Sequence, residues 1–244
     1  MKKMFKKILI LTTAVICCTV VIGGGVWCSA VSESSPCTQV HILVKDSVQR
    51  QFVDALELEQ YLKRNACYPH DSIRTVDCYA IEQCLLRNDM VRKAECYKSP
   101  FGNVNIIVFQ RVPVLAVVSN NGCYYVDSDR RVMPIRGEVD DNLPVFKGAV
   151  TEHAAIAEYF DFVSWLHDNR YWNERIRIIN VQNPKYLVLT QNGLDAKIIL
   201  GELGGYEEKL AKLRLLYTKG LDQVGYPDYR EYDLRFDNQV VGRK

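Results

Sequence analysis

The chain has 244 residues, of which 48% are hydrophobic and 25% charged, a balance that fits folded protein and excludes a disordered or fibrous one. Lysine and arginine total 31 against 29 acidic residues. Four lysines (Lys2, Lys3, Lys6, Lys7) crowd the first seven residues, so the remainder is faintly acidic and carries no concentrated basic patch of the kind a nucleic-acid surface needs.

Those lysines precede Ile8 to Val31, a run of 24 residues without a charge. As a helix it would extend about 36 Å, more than the ~30 Å hydrocarbon core of a bilayer. Lysines before it and Glu33 after it put the N-terminus in the cytoplasm. Cys28-Ser29-Ala30 is a passable cleavage site, but a signal-peptide core is usually only about 7–15 residues long. The run is therefore read as an uncleaved anchor. Gly23-Gly24-Gly25 within it permits close helix packing but does not complete a GxxxG motif. Residues 1–7 are then a cytoplasmic tail, 8–31 a transmembrane helix and 32–37, "SESSPC", a polar connector.

Residues 38–111 read as a small α/β domain. Val40 to Val44 is a strand. Asp54 caps a helix with Glu57 at capping-box spacing and Leu58, Tyr61 and Leu62 inward. Asp77 caps a second helix, with Ile81, Cys84 and Leu85 inward. Strands at Val91 to Lys98 and Asn103 to Gln110 flank the turn "SPFG". The order β-α-α-β-β places two helices on one face of a three-stranded sheet.

Residues 112–244 change texture to strands and turns. "PVLAVV" and "CYYVD" form a hairpin, with Asn121-Gly122 in the left-handed turn positions. "RRVMPI" and "LPVFKG" continue the β pattern. Thr151 caps a helix carrying Ile156, Tyr159, Phe160, Val163 and Leu166 at helical spacing. Strands "RIRIINV", "YLVLT" and "AKIILG" follow, the last two joined by a turn at Gln191-Asn192-Gly193. A final helix from Tyr206 to Lys219 buries Tyr206, Leu210, Leu213 and Tyr217, with Gly220 placed to cap it. The chain closes on a strand in which Tyr232, Leu234, Phe236 and Val240 share one parity and Glu231, Asp233, Arg235, Asp237 and Gln239 the other. The whole is α+β, its second domain β-rich with two helices packed on a sheet.

The sequence carries no HExxH, GxSxG, SxxK or phosphate-cradling glycine loop. His41, His70, His153 and His167 fall in separate elements without ligand spacing. Asp127-Ser128-Asp129 lacks the glycine and distal glutamate of a calcium loop and reads as a turn. The expectation is a protein that is not an enzyme and holds no cofactor or metal. Nine cysteines show no CxxC and no zinc spacing. An exported location permits disulfides, but the sequence leaves the pairing of Cys67, Cys78, Cys84, Cys96 and Cys123 open, and Cys84 reads as a small core residue. Tethered sheets without a catalytic site work by contact, and peptide addition to a sheet edge is a recurring mode.

Three stretches, in order, resemble the FtsQ/DivIB family of bacterial cell-division proteins: "VFQRVPVLAVV" from Val108 to Val118, "YYVDSDRRVMP" from Tyr124 to Pro134, and "YDLRFDNQVVGRK" from Tyr232 to Lys244. The likeness covers nearly the whole exported chain. It departs at Gln110, where glutamate is commoner, at Arg130, where glycine is frequent, and in the short cytoplasmic tail. The resemblance implies a single-span protein of the inner membrane, with a POTRA domain and a β domain on the periplasmic side, acting at the division septum. It implies a scaffold that links early and late division proteins and controls septal peptidoglycan synthesis by binding FtsB/FtsL-like bitopic partners. The partner would add a strand along the closing segment: Tyr232, Asp233, Leu234, Arg235, Phe236, Asp237, Asn238, Gln239, Val240 and Val241. Lys209, Lys212 and Arg214 of the last helix would lend charge contacts, and the POTRA-like segment would be a second docking surface for other division proteins. The alternative is a POTRA-bearing envelope chaperone or secretion component, which would be expected to carry several POTRA repeats or a barrel.

Overall fold

The structure, a computed structural model, describes residues 19, 39–45, 51–69, 72–100, 102–120, 122–221, 225 and 229–244. The expected membrane span lies outside these apart from Thr19, and among the described residues no helix is long and apolar enough to cross a membrane. Contacts divide the chain into two units, which meet in sequence between Gln110 and Arg111.

In the first unit β1 (Gln39–Lys45) lies parallel to β3 (Asn103–Gln110), and β3 lies antiparallel to β2 (Val91–Lys98), giving the order β1-β3-β2. Both helix starts are fixed by local chemistry. The Asp54 carboxylate accepts from the Glu57 N–H at 2.7 Å to open α1 (Ala55–Arg64), and Asp77 accepts from Ala80 at 3.0 Å to open α2 (Cys78–Leu85). Leu58 and Leu62 of α1 and Ile81, Cys84 and Leu85 of α2 are buried with Val104, Ile106 and Val108 of β3. Every second residue of β3 is buried while its alternates are half exposed, so the sheet is covered heavily on one face only. Gln110 ends this buried row fully enclosed, and its side-chain oxygen accepts from the Phe52 N–H at 3.0 Å. A neutral amide serves there without the cost of burying a carboxylate, which accounts for glutamine where the resembled family favours glutamate.

The second unit is one mixed sheet of nine strands in the order β12-β11-β10-β9-β8-β7-β4-β5-β6. They are β4 (Pro113–Ser119), β5 (Gly122–Asp127), β6 (Val132–Pro134), β7 (Val145–Gly148), β8 (Ile176–Asn183), β9 (Tyr186–Gln191), β10 (Lys197–Gly201), β11 (Glu231–Asp233) and β12 (Val241–Arg243). One face carries the core, where Leu115, Phe146, Ile179, Leu189 and Ile198 meet Phe162, Leu166, Leu210, Leu213 and Tyr217 of the helices. Aromatic rings bind this layer together: Phe146 stacks on Tyr159 at 4.8 Å, and Phe162 meets Tyr206 edge-on at 5.0 Å.

Four local expectations give way. The helix that Thr151 caps breaks at Ala157 (φ −108°, ψ −100°), so α3 (Glu152–Ile156) and α4 (Glu158–Asp168) are separate, and a single turn α5 (Arg170–Asn173) follows. Gly122 is not a turn position: it pairs with Ser119 and is the first residue of β5, while Asn121 lies outside the described residues. The last helix, α6 (Tyr206–Leu215), widens into a π-helical turn over Leu216–Leu221 that takes in Gly220. The closing segment is two short strands, β11 and β12, with Leu234 to Val240 looping between them.

Two charged side chains hold the β5–β6 corner. The fully buried Asp127 carboxylate pairs with the Arg111 guanidinium and also accepts from the N–H groups of Asp129 (2.9 Å) and Arg131 (2.8 Å). The Asp127-Ser128-Asp129 run is thus a turn whose first residue organises it. Arg130, where glycine is frequent in the resembled family, has φ +60°, a left-handed conformation that costs a side-chain-bearing residue roughly 1–2 kcal/mol. Its side chain returns part of that by reaching Asp161 at 2.5 Å, the Ile156 carbonyl at 3.1 Å and the Phe160 ring at 4.5 Å. Because the ion pair is about half exposed on both sides, it contributes little. Arg130→Gly is expected to keep stability within about 1 kcal/mol of wild type, whereas Arg130→Val should lose about 1–2 kcal/mol. Urea midpoints of the three proteins decide this.

Candidate functional site: the C-terminal sheet edge

The terminal edge of the nine-stranded sheet is built from the last fourteen residues. β11 pairs parallel with β10 (Lys197↔Glu231, Ile199↔Asp233) and antiparallel with β12 (Glu231↔Arg243, Asp233↔Val241). The alternating side chains keep their faces. Tyr232 and Leu234 are buried on the core side, where Tyr232 meets Tyr217 edge-on at 5.3 Å and Tyr229 at 5.8 Å. Burial, with Tyr229 nearby, raises the Tyr232 phenol above its usual range, so it stays neutral. Burying Leu234 is worth roughly 1.5–3 kcal/mol, and its N–H continues the ladder to the Ile199 carbonyl at 2.9 Å.

On the helix-free face, Asp233 clasps both strands. It is fully buried and takes two bonds from the Arg235 guanidinium (2.9 and 2.7 Å) and one from Arg243 (2.9 Å). The Arg235 stem lies over Gly201 (φ +76°), where an added Cβ would come within 2.8 Å of it, and its guanidinium faces the Tyr186 ring at 5.2 Å. The Arg235 hydrogen bonds hold the Asp233 carboxyl below the ordinary 3.8. A depressed carboxyl contributes stability that is complete above its unfolded value and is lost as pH falls through the folded one. The clasp therefore holds at neutral and mildly acidic pH and opens only below about 4.

Backbone direction decides which groups the edge presents. The Arg230 carbonyl and Leu234 N–H both point to β10, accepting from Lys197 and donating to Ile199 at 2.9 Å each. Peptide groups alternate along a strand, so Tyr232 faces β10 while Glu231 and Asp233 face β12. The Arg243 carbonyl faces inward accordingly, accepting from Arg230 at 2.8 Å. Gly242, between Val241 and Arg243, turns its N–H and carbonyl to the open side. It also lies flat on Tyr229, whose ring an added Cβ would approach to 3.0 Å. The order of described strands ends here.

The expected pairing segment, Tyr232 to Val241, is accordingly distributed. The outer side of β11 is taken by the chain's own β12. Arg235, Phe236, Asp237, Asn238 and Gln239 are exposed loop residues, Val240 and Val241 are half buried, and Phe236 is 42% exposed. The last helix borders this loop. Lys212 donates to the Phe236 carbonyl at 3.1 Å and to the Asp237 carbonyl, and Lys209 donates to the Glu202 backbone carbonyl at 2.7 Å. Desolvation lowers Lys209 from its usual range. Arg214 points elsewhere, sharing the Tyr171 ring with Arg175 at 4.8 and 4.0 Å. Two members went unnoticed in sequence. Arg243 carried a signal in the alternating charges of the closing stretch. Leu215, 53% exposed and three residues beyond Lys212, stood on the outer helix face.

Beside the edge, the helix-free face carries an open polar groove of about 930 Å³ that includes Lys147, Asn180, Tyr186, Lys197 and Glu231. Its one carboxylate, Glu231, lies on the strand beside Lys197, with Lys147 further along the sheet. Among the described residues no group of three or more His, Cys, Asp or Glu side chains is placed to hold a metal.

A search of curated proteins finds no match. Two family models do match: a POTRA-like domain over residues 35–109, and "FtsQ/DivIB, C-terminal related" over residues 112–243, more than half of the chain. The nine-stranded unit with its self-capped C-terminal edge is the part that the second model covers, and the chain belongs to the FtsQ/DivIB C-terminal related family.

Proposed function

We propose that this chain is a non-catalytic, membrane-anchored scaffold of the bacterial division machinery, and that an FtsB/FtsL-like bitopic partner docks by adding a strand to β12. Family membership supports the division role. The observation that carries the docking mode is the end of the sheet, where Gly242 turns its backbone groups outward beyond the Arg243–Arg230 bond. Short edge strands are commonly a defence against unwanted pairing. Phe236, exposed in the loop between β11 and β12, and Leu215, exposed on the last helix, offer anchors of the kind interfaces concentrate. Backbone bonds would supply affinity and these side chains selectivity. Of the last helix's basic residues, Lys212 borders this surface through the loop carbonyls it holds, Lys209 lies one turn before it, and Arg214, turned to the Tyr171 ring, is left out.

The arrangement we propose is a cytoplasmic tail (1–7), a membrane span (8–31), a connector (32–37), the POTRA-like domain (38–111) and the β domain (112–244). The bulk of the chain is periplasmic and concentrated at the septum. The POTRA-like domain offers a second docking surface for division proteins, and through these contacts the scaffold governs septal peptidoglycan synthesis.

Removal of Val241 to Lys244 tests the docking mode. The truncated chain should keep its fold, since Arg235 still pairs with Asp233 and the segment is at most half buried. It should lose co-purification with the bitopic partner by at least tenfold. A folded truncation that binds as wild type contradicts the proposal. A fluorescent fusion spread evenly around dividing cells would contradict the division role.

A further inference from the structure

Four cysteines of the first unit meet in two pairs, at opposite ends of α2. Cys67 follows α1 through a Schellman closure, in which Ala66 turns left-handed (φ +53°), its N–H bonds to Lys63 O, and the Cys67 N–H returns to the Leu62 carbonyl at 2.9 Å. This carries Cys67 back against α2, where it borders a hollow with Ala80 and Ile81. Cys67 Sγ donates to the Asn65 carbonyl at 3.2 Å, and the Cys67 and Cys84 thiols lie near enough there to act on one another. At the other end, Glu82 accepts from the Cys96 N–H at 2.7 Å, which draws β2 against the helix face that Cys78 shares one turn earlier. The Cys78 and Cys96 thiols are likewise near enough to act on one another.

We propose that these four residues are built-in disulfide partners, Cys67 with Cys84 and Cys78 with Cys96, stapling the first turn of α2 to β2 and its last turn to the loop after α1. Formation in the cell rests on the exported placement proposed above, because structural disulfides persist in oxidising compartments. The oxidant is a donor disulfide, R–S–S–R. In each pair Cys67 or Cys78 attacks as thiolate and releases one R–S⁻ to leave a mixed disulfide. Its buried neighbour, Cys84 or the half-buried Cys96, then loses its proton, attacks the cysteine sulfur and expels the second R–S⁻. The sum is two cysteine thiols plus R–S–S–R giving one protein disulfide plus two R–SH. Burial, reinforced by Cys67, pushes the Cys84 thiol up to about 12, and burial beside Cys78 raises Cys96 in the same way. That order of attack follows, since the thiolate is the nucleophile.

The test is peptide mapping of the full-length chain in detergent, purified reduced, exposed to oxidised glutathione and then alkylated. Two cross-linked peptide pairs are expected, Cys67 to Cys84 and Cys78 to Cys96, each lighter by two hydrogens and lost on reduction. Exposed Cys123 should remain open to alkylation as an internal control. In Cys78→Ser the Cys67–Cys84 bond should persist and Cys96 should become alkylated. Any other partner for these four residues, or alkylation of all four after glutathione, overturns the proposal. Alkylating intact cells first addresses the export reading separately. Thiols reduced there but paired as stated by glutathione would count against export and support the pairing.

Discussion

Asp127→Ala is expected to destabilise the β domain by about 3–5 kcal/mol, lowering its melting temperature by roughly 10–20 °C. The substitution leaves the Arg111 guanidinium buried without its carboxylate and frees the Asp129 and Arg131 N–H groups that Asp127 accepts at 2.9 and 2.8 Å. Arg111→Met should cost less, because the stranded carboxylate keeps those two backbone donors. The double variant should lose clearly less than the sum of the singles, as coupled neighbours do. A calorimetric series on the four proteins measures this, and additive losses would show that the pair does not act as a unit.

Asp233→Ala carries the second large effect, on binding as well as stability. It removes the acceptor of three arginine bonds that join β11, its following loop and β12. Hydrogen bonds involving charged groups contribute about 1.5–3 kcal/mol each at most, and both arginines are partly exposed. A net loss of about 2 kcal/mol is therefore expected, smaller than for Asp127. With β12 released, affinity for the proposed bitopic partner should fall at least tenfold. The same edge should loosen in wild type when pH drops below the ordinary aspartate value of 3.8 and through the lowered Asp233 value. Near pH 5 it should stay closed. Amide exchange followed from pH 7 to pH 3 separates these cases, and opening already at pH 5 would mean another group controls the edge.

Much of the fold was legible in sequence because its signals are local. The Asp54, Asp77 and Thr151 caps are each one side-chain oxygen meeting an N–H three residues on, so they read directly from residue type and spacing. The extents of β2 and β3 followed from alternation and the Pro100 turn. The break at Ala157 was not legible, since no glycine or proline marks it. The Cys67–Cys84 and Cys78–Cys96 neighbours depend on how α2 docks, which spacing does not encode.

The closing segment is the instructive case. Its alternation correctly placed Tyr232 and Leu234 in the core and Asp233 and Arg235 opposite. Alternation reports which face a side chain takes, however, and not whether the ladder continues. Past Leu234 the chain leaves the sheet under the hold of Lys212 on two loop carbonyls, then returns to cover the strand that had been expected to lie open. The candidate edge moved outward by one strand, from β11 to β12, and Arg243 joined it.

Hydrogen exchange on the full chain, with and without the FtsB/FtsL-like partner, tests the docking claim most directly. The account predicts that the peptide ending in Val241 to Lys244 slows on complex formation, because the outward N–H of Gly242 becomes a strand bond. Partner-induced protection elsewhere, with exchange at that terminus unchanged, would contradict it.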